Sequence, residues 1–256
     1  MTVGHRHDWG ATIAGVELPF CAMNASGTAA SPDTLRALAA SRAGAIVLKT
    51  ATVHPFLHPE FRSLHNPGYD KVAPLVRELR AAAAVPIVAS IAGSNPGEYA
   101  VLAHALGDAG AAWIEANLAD AWVAATFGPL ESEATLADLL ARLVEASPVP
   151  VGVKLPERVP MPYARLGAVL AESGVPIVTI KNDFAGLEKF LLEAGPRFDV
   201  IAVGGVRSGY DVRRAVLKGA RAVQVGSALV DEGAAIFARL ERELRGSRER
   251  GRGDEG

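Results

Sequence analysis

Three lysines stand at the ends of apolar segments, where a strongly hydrated cation is unexpected. Lys49 follows "AIVL", Lys154 follows "VPVGV" and Lys181 follows "VPIVTI". Lysine is scarce in this chain, with six residues against twenty arginines. A single lysine of this kind can lay its aliphatic stem on the core and keep its ammonium in water. Several that converge in one apolar pocket require an anion to balance them, so the pattern predicts an anionic ligand.

Short apolar segments rich in valine and isoleucine recur along the chain and alternate with helical patterns. Each segment is too short for a helix and too uniformly apolar for a half-exposed strand, which is typical of strands buried on both faces of a parallel sheet. Helical patterns open on capping pairs such as Ser31-Pro32 and Asn95-Pro96. The predicted strands are 16–24, 44–50, 85–93, 111–118, 149–156, 175–182, 199–205 and 221–227, and the predicted helices are 31–44, 69–83, 95–110, 133–146, 161–173, 185–194, 208–220 and 230–245.

Eight strand–helix units in 256 residues have the size and order of an α/β protein of the (β/α)8 TIM barrel type. The alternative is an open doubly wound sheet, which usually has fewer strands and often carries G-x-G-x-x-G after the first. "NASGTA" (24–29) does not fit that fingerprint, so we expect the barrel. No linker divides the chain, which predicts one domain over 1–246 and a polar, disordered tail over 247–256.

Polar residues follow the predicted strands at their carboxyl ends, where a barrel carries its active site. The last two strands lead into "AVGGVRSG" and "QVGSALV", whose glycines let backbone N–H groups approach a phosphate. The residues alone therefore predict a phosphorylated ligand with lysines near its reactive end, and leave the ligand unnamed. The strand-end residues are Asn24, Ser26, Lys49, Ser90, Glu115, Asn117, Lys154, Lys181, Asn182, Gly204, Gly205, Gly226 and Ser227.

Composition excludes several other classes of protein. A net charge of -2 gives no reason to expect nucleic acid or an anionic membrane as partner. The N-terminal segment has no apolar core of signal-peptide type and no run reaches membrane-spanning length, so we expect a cytoplasmic protein. A single cysteine, Cys21, excludes a disulfide framework and a multi-cysteine metal site. His5 and His7 are expected to belong to a solvated leader, and no metal site is predicted.

Five motifs, in order along the chain, resemble the flavin-dependent dihydroorotate dehydrogenases, above all the soluble class 1 group. The resemblance covers about residues 13–245 and implies FMN-dependent oxidation of dihydroorotate to orotate, a CH–CH dehydrogenation in pyrimidine biosynthesis. The motifs are "MNASG" (23–27), "LAASRAGAIVLKTAT" (38–52), "EANL" (115–118), "VGVKLP" (151–156) and "IAVGGVRSGYDVRRAVLKGARAVQVGSAL" (201–229).

The resemblance also implies a cofactor site. The FMN phosphate would lie on backbone N–H groups around the two glycine turns, and the turn after the first strand would contact the isoalloxazine. Lys154 would face the N1/C2=O side of the ring, where an ammonium stabilises the negative charge of reduced flavin. The implied cofactor-binding residues are Ala25, Ser26, Gly27, Lys49, Asn117, Lys154, Gly204, Gly205, Gly226 and Ser227.

A small-molecule substrate would lie against this flavin. By the resemblance, Lys49 would stand between flavin and substrate and match a carboxylate or imide oxygen. Asn117 and Asn182 would hydrogen-bond the pyrimidine edge, with Asn66 as a further candidate for substrate binding. A homodimer would be ordinary for the family. The electron acceptor (fumarate, NAD through a partner subunit, or a quinone) stays open.

The chain departs from the family pattern around the substrate. Class 1 enzymes carry a cysteine base in a stretch like "NLSCPN" and class 2 enzymes a serine, whereas this chain reads "NLADAWVAATFG" (117–128). Asp120 is the candidate replacement base, with Thr126 a poorer one and Cys21 expected in the core. The segment "RSLHNPGYD" (62–70) is contracted, leaving His65 and Asn66 as polar substitutes. The insertion expected between strands six and seven is nearly absent.

Three interpretations fit a flavin site beside a rebuilt substrate site. The chain could be a dihydroorotate dehydrogenase with a short loop and Asp120 as substitute base. It could be a flavin oxidoreductase of the same fold that acts on another small acid or cyclic amide. It could also bind FMN without catalysis. A test is needed because resemblance of the site's scaffold does not determine the substrate. Bleaching of the flavin by dihydroorotate would separate the first interpretation from the other two.

Overall fold

The computed structural model describes residues 9–29, 31–57 and 65–249. Its centre is an eight-stranded parallel sheet that curves into a barrel with helices outside, so the predicted (β/α)8 TIM barrel is confirmed. The barrel strands are β3 (Ala22–Asn24), β4 (Ile46–Val47), β5 (Ile87–Ile91), β6 (Trp113–Asn117), β7 (Val151–Lys154), β8 (Ile177–Lys181), β9 (Asp199–Val203) and β10 (Ala222–Val225). Hydrogen-bonded neighbours follow the order β3-β10-β9-β8-β7-β6-β5-β4.

The side chain of Asn24 helps to close the barrel between β3 and β4. Its Nδ2 donates to the Val47 carbonyl at 2.7 Å, and its Oδ1 accepts from the Val47 N–H at 2.8 Å. One further backbone bond joins the same two strands, from the Gly44 N–H to the Ala22 carbonyl at 2.8 Å. A side-chain amide thus replaces the peptide group that a regular ladder would supply. This fully buried residue ends the strand that leads into the candidate site.

The predicted first strand divides into two elements. Residues Val16–Leu18 form β2, which pairs antiparallel with β1 (Ala11–Ile13) in a hairpin, and the barrel strand begins only at Ala22. Pro19 separates them, because proline has no N–H for a sheet ladder. The turn between β1 and β2 has positive φ at Ala14 and Gly15, as a two-residue hairpin requires.

The helices are α1 (Pro32–Ala39), α2 (Tyr69–Ala82), α3 (Pro96–Asp108), α4 (Ala121–Thr126), α5 (Glu133–Ala146), α6 (Tyr163–Glu172), α7 (Lys189–Ala194), α8 (Gly209–Leu217), α9 (Ser227–Glu232) and α10 (Ile236–Glu249). Ser31 and Asn95 cap α1 and α3 as predicted. Helix α10 continues three residues past the predicted boundary at 246, while 250–256, His5 and His7 lie outside the described residues. No described helix has both the length and the apolar character needed to cross a membrane.

Candidate active site

The turn after β3 lies at the carboxyl end of the barrel and is anchored to the neighbouring strand. The Ala25 N–H donates to the Val225 carbonyl at 3.0 Å, and the Ala25 carbonyl accepts from Thr28 Oγ1 at 2.7 Å. These bonds bury Ser26, which is 3% exposed, while a Cβ added to Gly27 would meet open space. The predicted cofactor-contacting residues Ala25, Ser26 and Gly27 therefore form a fixed turn that faces an unfilled volume.

Lys154 reaches from the end of β7 across the barrel toward this turn. Its Nζ donates to Gln224 Oε1 at 3.1 Å and lies 3.4 Å from Ser26 Oγ. The side chain is only 13% exposed, so the ammonium does not extend into bulk solvent as a snorkelling lysine would. The structure thus brings two predicted cofactor-binding residues from distant parts of the chain into contact.

Glu115 lies under Lys154 inside the barrel. Its Oε2 accepts from Gln224 Nε2 at 2.6 Å and from Thr179 Oγ1 at 2.9 Å. Its Oε1 is 4.0 Å from Lys154 Nζ and has no hydrogen-bond partner among the described residues. Glu115 was predicted at a strand end without a role, and neither Gln224 nor Thr179 was predicted from the sequence as a site residue. The available signal was that each is a polar residue between two apolar neighbours.

The glycine turns after β9 and β10 have space above them. Gly204 and Gly205 have φ of 92° and 70°, and a Cβ on either, or on Gly226, would meet no atom within 4 Å. Helix α8 follows the first turn, but the carboxylate of Asp211 already accepts from the N–H groups of Arg207 and Ser208. An anion at this corner would consequently depend on the glycine backbone rather than on the N-terminus of α8.

Lys49 lines a cavity of about 550 Å³ between the loop after β4 and helices α1 and α2. Burial lowers the pKa of its ammonium below the usual value, and the nearby Asp120 carboxylate opposes that shift. Other residues on the cavity wall include Gly27, Leu48, Pro55, His65 and Asn66. Predicted cofactor-binding and substrate-binding residues, Gly27, Lys49 and Asn66, therefore share one wall.

Asp120, the candidate base, begins helix α4 as its N-cap. One carboxylate oxygen accepts from the Trp122 N–H at 3.0 Å and the other from Asn66 Nδ2 at 3.3 Å. The same two loops also meet through stacked rings of Phe56 and Trp122, whose centroids are 4.9 Å apart. Asp120 does cap a helix, and its carboxylate is at the same time held beside Asn66 and near Lys49.

Three predicted substrate-binding asparagines carry buried amide atoms without partners among the described residues. These atoms are Oδ1 of Asn66, Oδ1 of Asn117, and both Oδ1 and Nδ2 of Asn182. The side-chain nitrogen of Asn117 donates to Thr50 Oγ1 at 3.1 Å, and this bond fixes the orientation of the Asn117 amide. Since buried polar groups in native proteins are almost always hydrogen-bonded, ordered water or a polar ligand would complete these atoms.

Other candidates are placed away from this chemistry. Lys181 pairs with the exposed carboxylates of Glu157 and Asp183. Lys154 contacts Ser26 and Gln224, whereas Lys49 lines the cavity beside α1 and α2, so the three strand-end lysines have three different surroundings. The Thr126 hydroxyl donates to the Trp122 carbonyl within α4. Burial raises the pKa of the Cys21 thiol to about 12, which agrees with a core cysteine. No cluster of metal-ligating side chains occurs in the ranges 9–29, 31–57 and 65–249.

A larger cavity of about 1120 Å³ lies at the opposite, amino-terminal end of the strands. It is bounded by the β1–β2 hairpin and includes Leu18, Phe198, Lys218 and Arg221 in its wall. None of the predicted site residues lines it. In a barrel this end contributes to stability, so size alone does not locate the active site.

Comparison with known proteins agrees with the geometry. A family model described as dihydroorotate dehydrogenase matches residues 173–247. A Pediococcus pentosaceus protein assigned as a dihydroorotate dehydrogenase A (fumarate) is 32% identical over 269 residues, covering 85% of this chain and 87% of that protein. The dihydroorotate dehydrogenase (fumarate) of Lachancea kluyveri is 28% identical over 281 residues, covering 90% of this chain and 89% of that protein.

A crystal structure of an Eimeria tenella dihydroorotate dehydrogenase in complex with ferulenol has the same fold. It matches with a TM-score of 0.76 over 93% of this chain and 83% of that chain. The sequence identity is 15%, so this similarity speaks for the architecture alone.

Proposed function

This chain belongs to the dihydroorotate dehydrogenase family and is an oxidoreductase of that type, and we propose that it uses FMN to oxidise dihydroorotate to orotate in pyrimidine biosynthesis. The observation that carries the proposal is the set of unpaired buried amide atoms on Asn66, Asn117 and Asn182. A cyclic imide presents N–H donors and carbonyl acceptors, which such amides can pair. Lys49, at the same mouth, supplies a cation for the substrate carboxylate.

The residues present fit an FMN molecule. The open space over Gly204, Gly205 and Gly226 leaves room for a phosphate to approach their backbone N–H groups. The anchored turn at Ser26 has open space over Gly27 for an isoalloxazine, and Lys154 beside it offers a fixed positive charge. Bound FMN would supply the two-electron acceptor for the hydride that leaves C6 of the substrate.

Asp120 is the residue that we assign as general base. Its carboxylate would take the proton from C5 of dihydroorotate, in the place where relatives with "NLSCPN" carry a cysteine. Asn66 orients the carboxylate through its bond to Oδ2, and Trp122 orients it through the helix cap. Loss of this proton from C5 and of hydride from C6 gives the C5=C6 double bond of orotate.

The experiment that tests the function is anaerobic addition of dihydroorotate to the FMN-loaded protein. We expect the flavin absorbance to bleach and orotate to form in equal amount. Asn182→Ala should weaken this reaction by about tenfold or more in apparent affinity, because the variant removes two unpaired amide atoms from the site. The neighbouring Lys181→Ala, whose ion pairs face outward, is the matched control and should behave as the wild type.

Two outcomes would contradict the proposal in different ways. A flavin that dithionite bleaches but dihydroorotate does not would assign the site to another substrate or to binding alone. A preparation that takes up no FMN would remove the cofactor as well.

A further inference from the structure

Glu115 is a buried charged residue to which the proposed reaction assigns no role. Glu115 is 1% exposed and lies inside the barrel, where an ionised carboxylate is costly unless it is paired and hydrogen-bonded. Nothing in the substrate chemistry requires it, since Asp120 and the asparagines lie toward the mouth. Its presence between Ile114 and Ala116 in a fully buried strand therefore needs a separate explanation.

Two contacts connect Glu115 with Lys154, one through Gln224 and one directly. Glu115 Oε2 accepts from Gln224 Nε2 at 2.6 Å, and Gln224 Oε1 in turn accepts from Lys154 Nζ at 3.1 Å. The Glu115 carboxylate thus orients the amide of Gln224, and the amide oxygen in turn fixes the position of the Lys154 ammonium. The second carboxylate oxygen faces the same ammonium at 4.0 Å. Thr179 fixes the carboxylate from the other side at 2.9 Å.

We propose that Glu115 is a positioning residue that, directly and through Gln224, holds the Lys154 ammonium at the flavin site and sets how much of its positive charge the flavin experiences. This inference rests on the proposed binding of FMN. Because the Glu115 carboxylate lies close to it, the Lys154 ammonium is held in place and its positive charge is partly neutralised. Without Glu115 the same ammonium would face the reduced flavin as an uncompensated cation in a low-dielectric interior, and would favour the anionic reduced form more strongly.

The test is the midpoint potential of bound FMN in Glu115→Gln, measured by anaerobic titration with dithionite against a reference dye. We expect the potential to rise, with the ratio of reduced to oxidised flavin at a given potential increasing by about tenfold or more, which corresponds to ~30 mV for a two-electron couple. Thr179→Val is the matched control. It removes a hydrogen bond from the same carboxylate but no charge, so the ratio should change by less than about threefold.

A second pair of variants covers the case in which Glu115→Gln does not fold. Lys154→Met leaves the carboxylate unpaired and should lower the potential. Adding Glu115→Gln to it gives a neutral pair, which proteins tolerate better than a lone buried charge, and should bring the potential back up. The inference would be overturned if the double variant had the same midpoint potential as Lys154→Met alone. It would also be overturned if Glu115→Gln and Thr179→Val shifted the potential equally.

The potentials are measured without substrate, which separates this inference from the proposed function. Unchanged potential in a Glu115→Gln protein that dihydroorotate still bleaches overturns the role of Glu115 alone. A wild-type protein that binds no FMN overturns both.

Discussion

The side-chain amide of Asn66 donates to Oδ2 of Asp120 at 3.3 Å, which joins two loops whose residues are 54 positions apart. Asn66 comes from the contracted loop after β4, and Asp120 comes from the altered loop after β6. Two of the departures from the family pattern are therefore in contact with each other. We interpret them as one rebuilt substrate site, in which the new acid and the shortened loop support each other.

The first prediction concerns the base. Asp120→Asn should slow flavin reduction by dihydroorotate about a hundredfold or more, because an amide cannot accept the C5 proton. Asparagine caps helices as well as aspartate does, so α4 and the contact with Asn66 should persist. Rapid-mixing absorbance measurements give the rate, and unfolding curves check the fold.

Asp183→Asn is the control for this variant, because Asp183 also caps a helical segment but lies beside the outward-facing Lys181. Equal rates in Asp120→Asn and wild type would exclude Asp120 as the base.

The second prediction concerns Lys49 and pH. Burial lowers the pKa of Lys49, so its ammonium loses its proton at lower pH than an ordinary lysine. Orotate affinity should fall as pH rises toward 10.5, the ordinary pKa of lysine, and should begin to fall below it. Lys49→Met should weaken binding about tenfold at neutral pH and remove that dependence. Titration of the flavin spectrum with orotate measures both.

Lys71→Met provides the comparison, since Lys71 lines the same cavity with a side chain that is 78% exposed. If Lys71→Met and Lys49→Met have the same effect, Lys49 has no special position at the substrate.

The third prediction concerns the glycine turn after β9. Gly205→Ala should weaken FMN binding by about tenfold or more, because its Cβ would enter the open space over the turn and φ of 70° disfavours alanine by about 1–2 kcal/mol. Gly195→Ala also places alanine at a positive φ, of 84°, with open space around the added Cβ, but lies after α7 and away from the site. Equal loss of FMN affinity in both variants would mean that strain, and not a phosphate, explains the effect.

The barrel and its mouth were predictable from the sequence because their signals are local. Eight apolar segments and their caps determine strands and helices one by one, and a closed barrel then places every carboxyl end at the same edge. Lys154 and Ser26 meet for this reason, although 128 residues separate them. The direction of Lys181 was not predictable, since alternation along a strand and an outward partner such as Glu157 depend on loop positions.

The buried network was harder to foresee. Glu115, Thr179 and Gln224 come from three different strands and meet only across the barrel interior. Each one appears in the sequence as a polar residue between two apolar neighbours. Which of them pair depends on register and on which face of each strand points inward, and neither is encoded in any single segment.

The fourth prediction concerns the ion pair between Arg42, after α1, and Glu241 in α10. Arg42 donates to Glu241 at 2.8 Å and, with smaller help from Arg245, holds the pKa of that carboxyl at about 2 instead of 4.5. A depressed pKa stabilises the fold above pH 4.5, and this contribution is lost as pH falls toward about 2. Arg42→Ala should therefore lower the free energy of unfolding by about 1 kcal/mol at neutral pH.

Urea unfolding across this pH range measures the loss, and the difference from wild type should shrink below pH 4.5. Arg36→Ala removes an exposed ion pair with Asp33 within α1 and should cause no measurable decrease in the free energy of unfolding. A difference for Arg42→Ala that stays constant down to low pH would show that charge is not its origin.

The most direct test of the account is a comparison of FMN with riboflavin as ligands of the flavin-free protein. Quenching of flavin fluorescence should show one FMN bound per chain, about a hundredfold more tightly than riboflavin, a difference of about 2.7 kcal/mol that the phosphate would contribute at the glycine turns. Equal affinity for the two flavins, or no binding of either, would contradict the claim that Lys154, the turn at Ser26 and the glycines after β9 and β10 form one cofactor site.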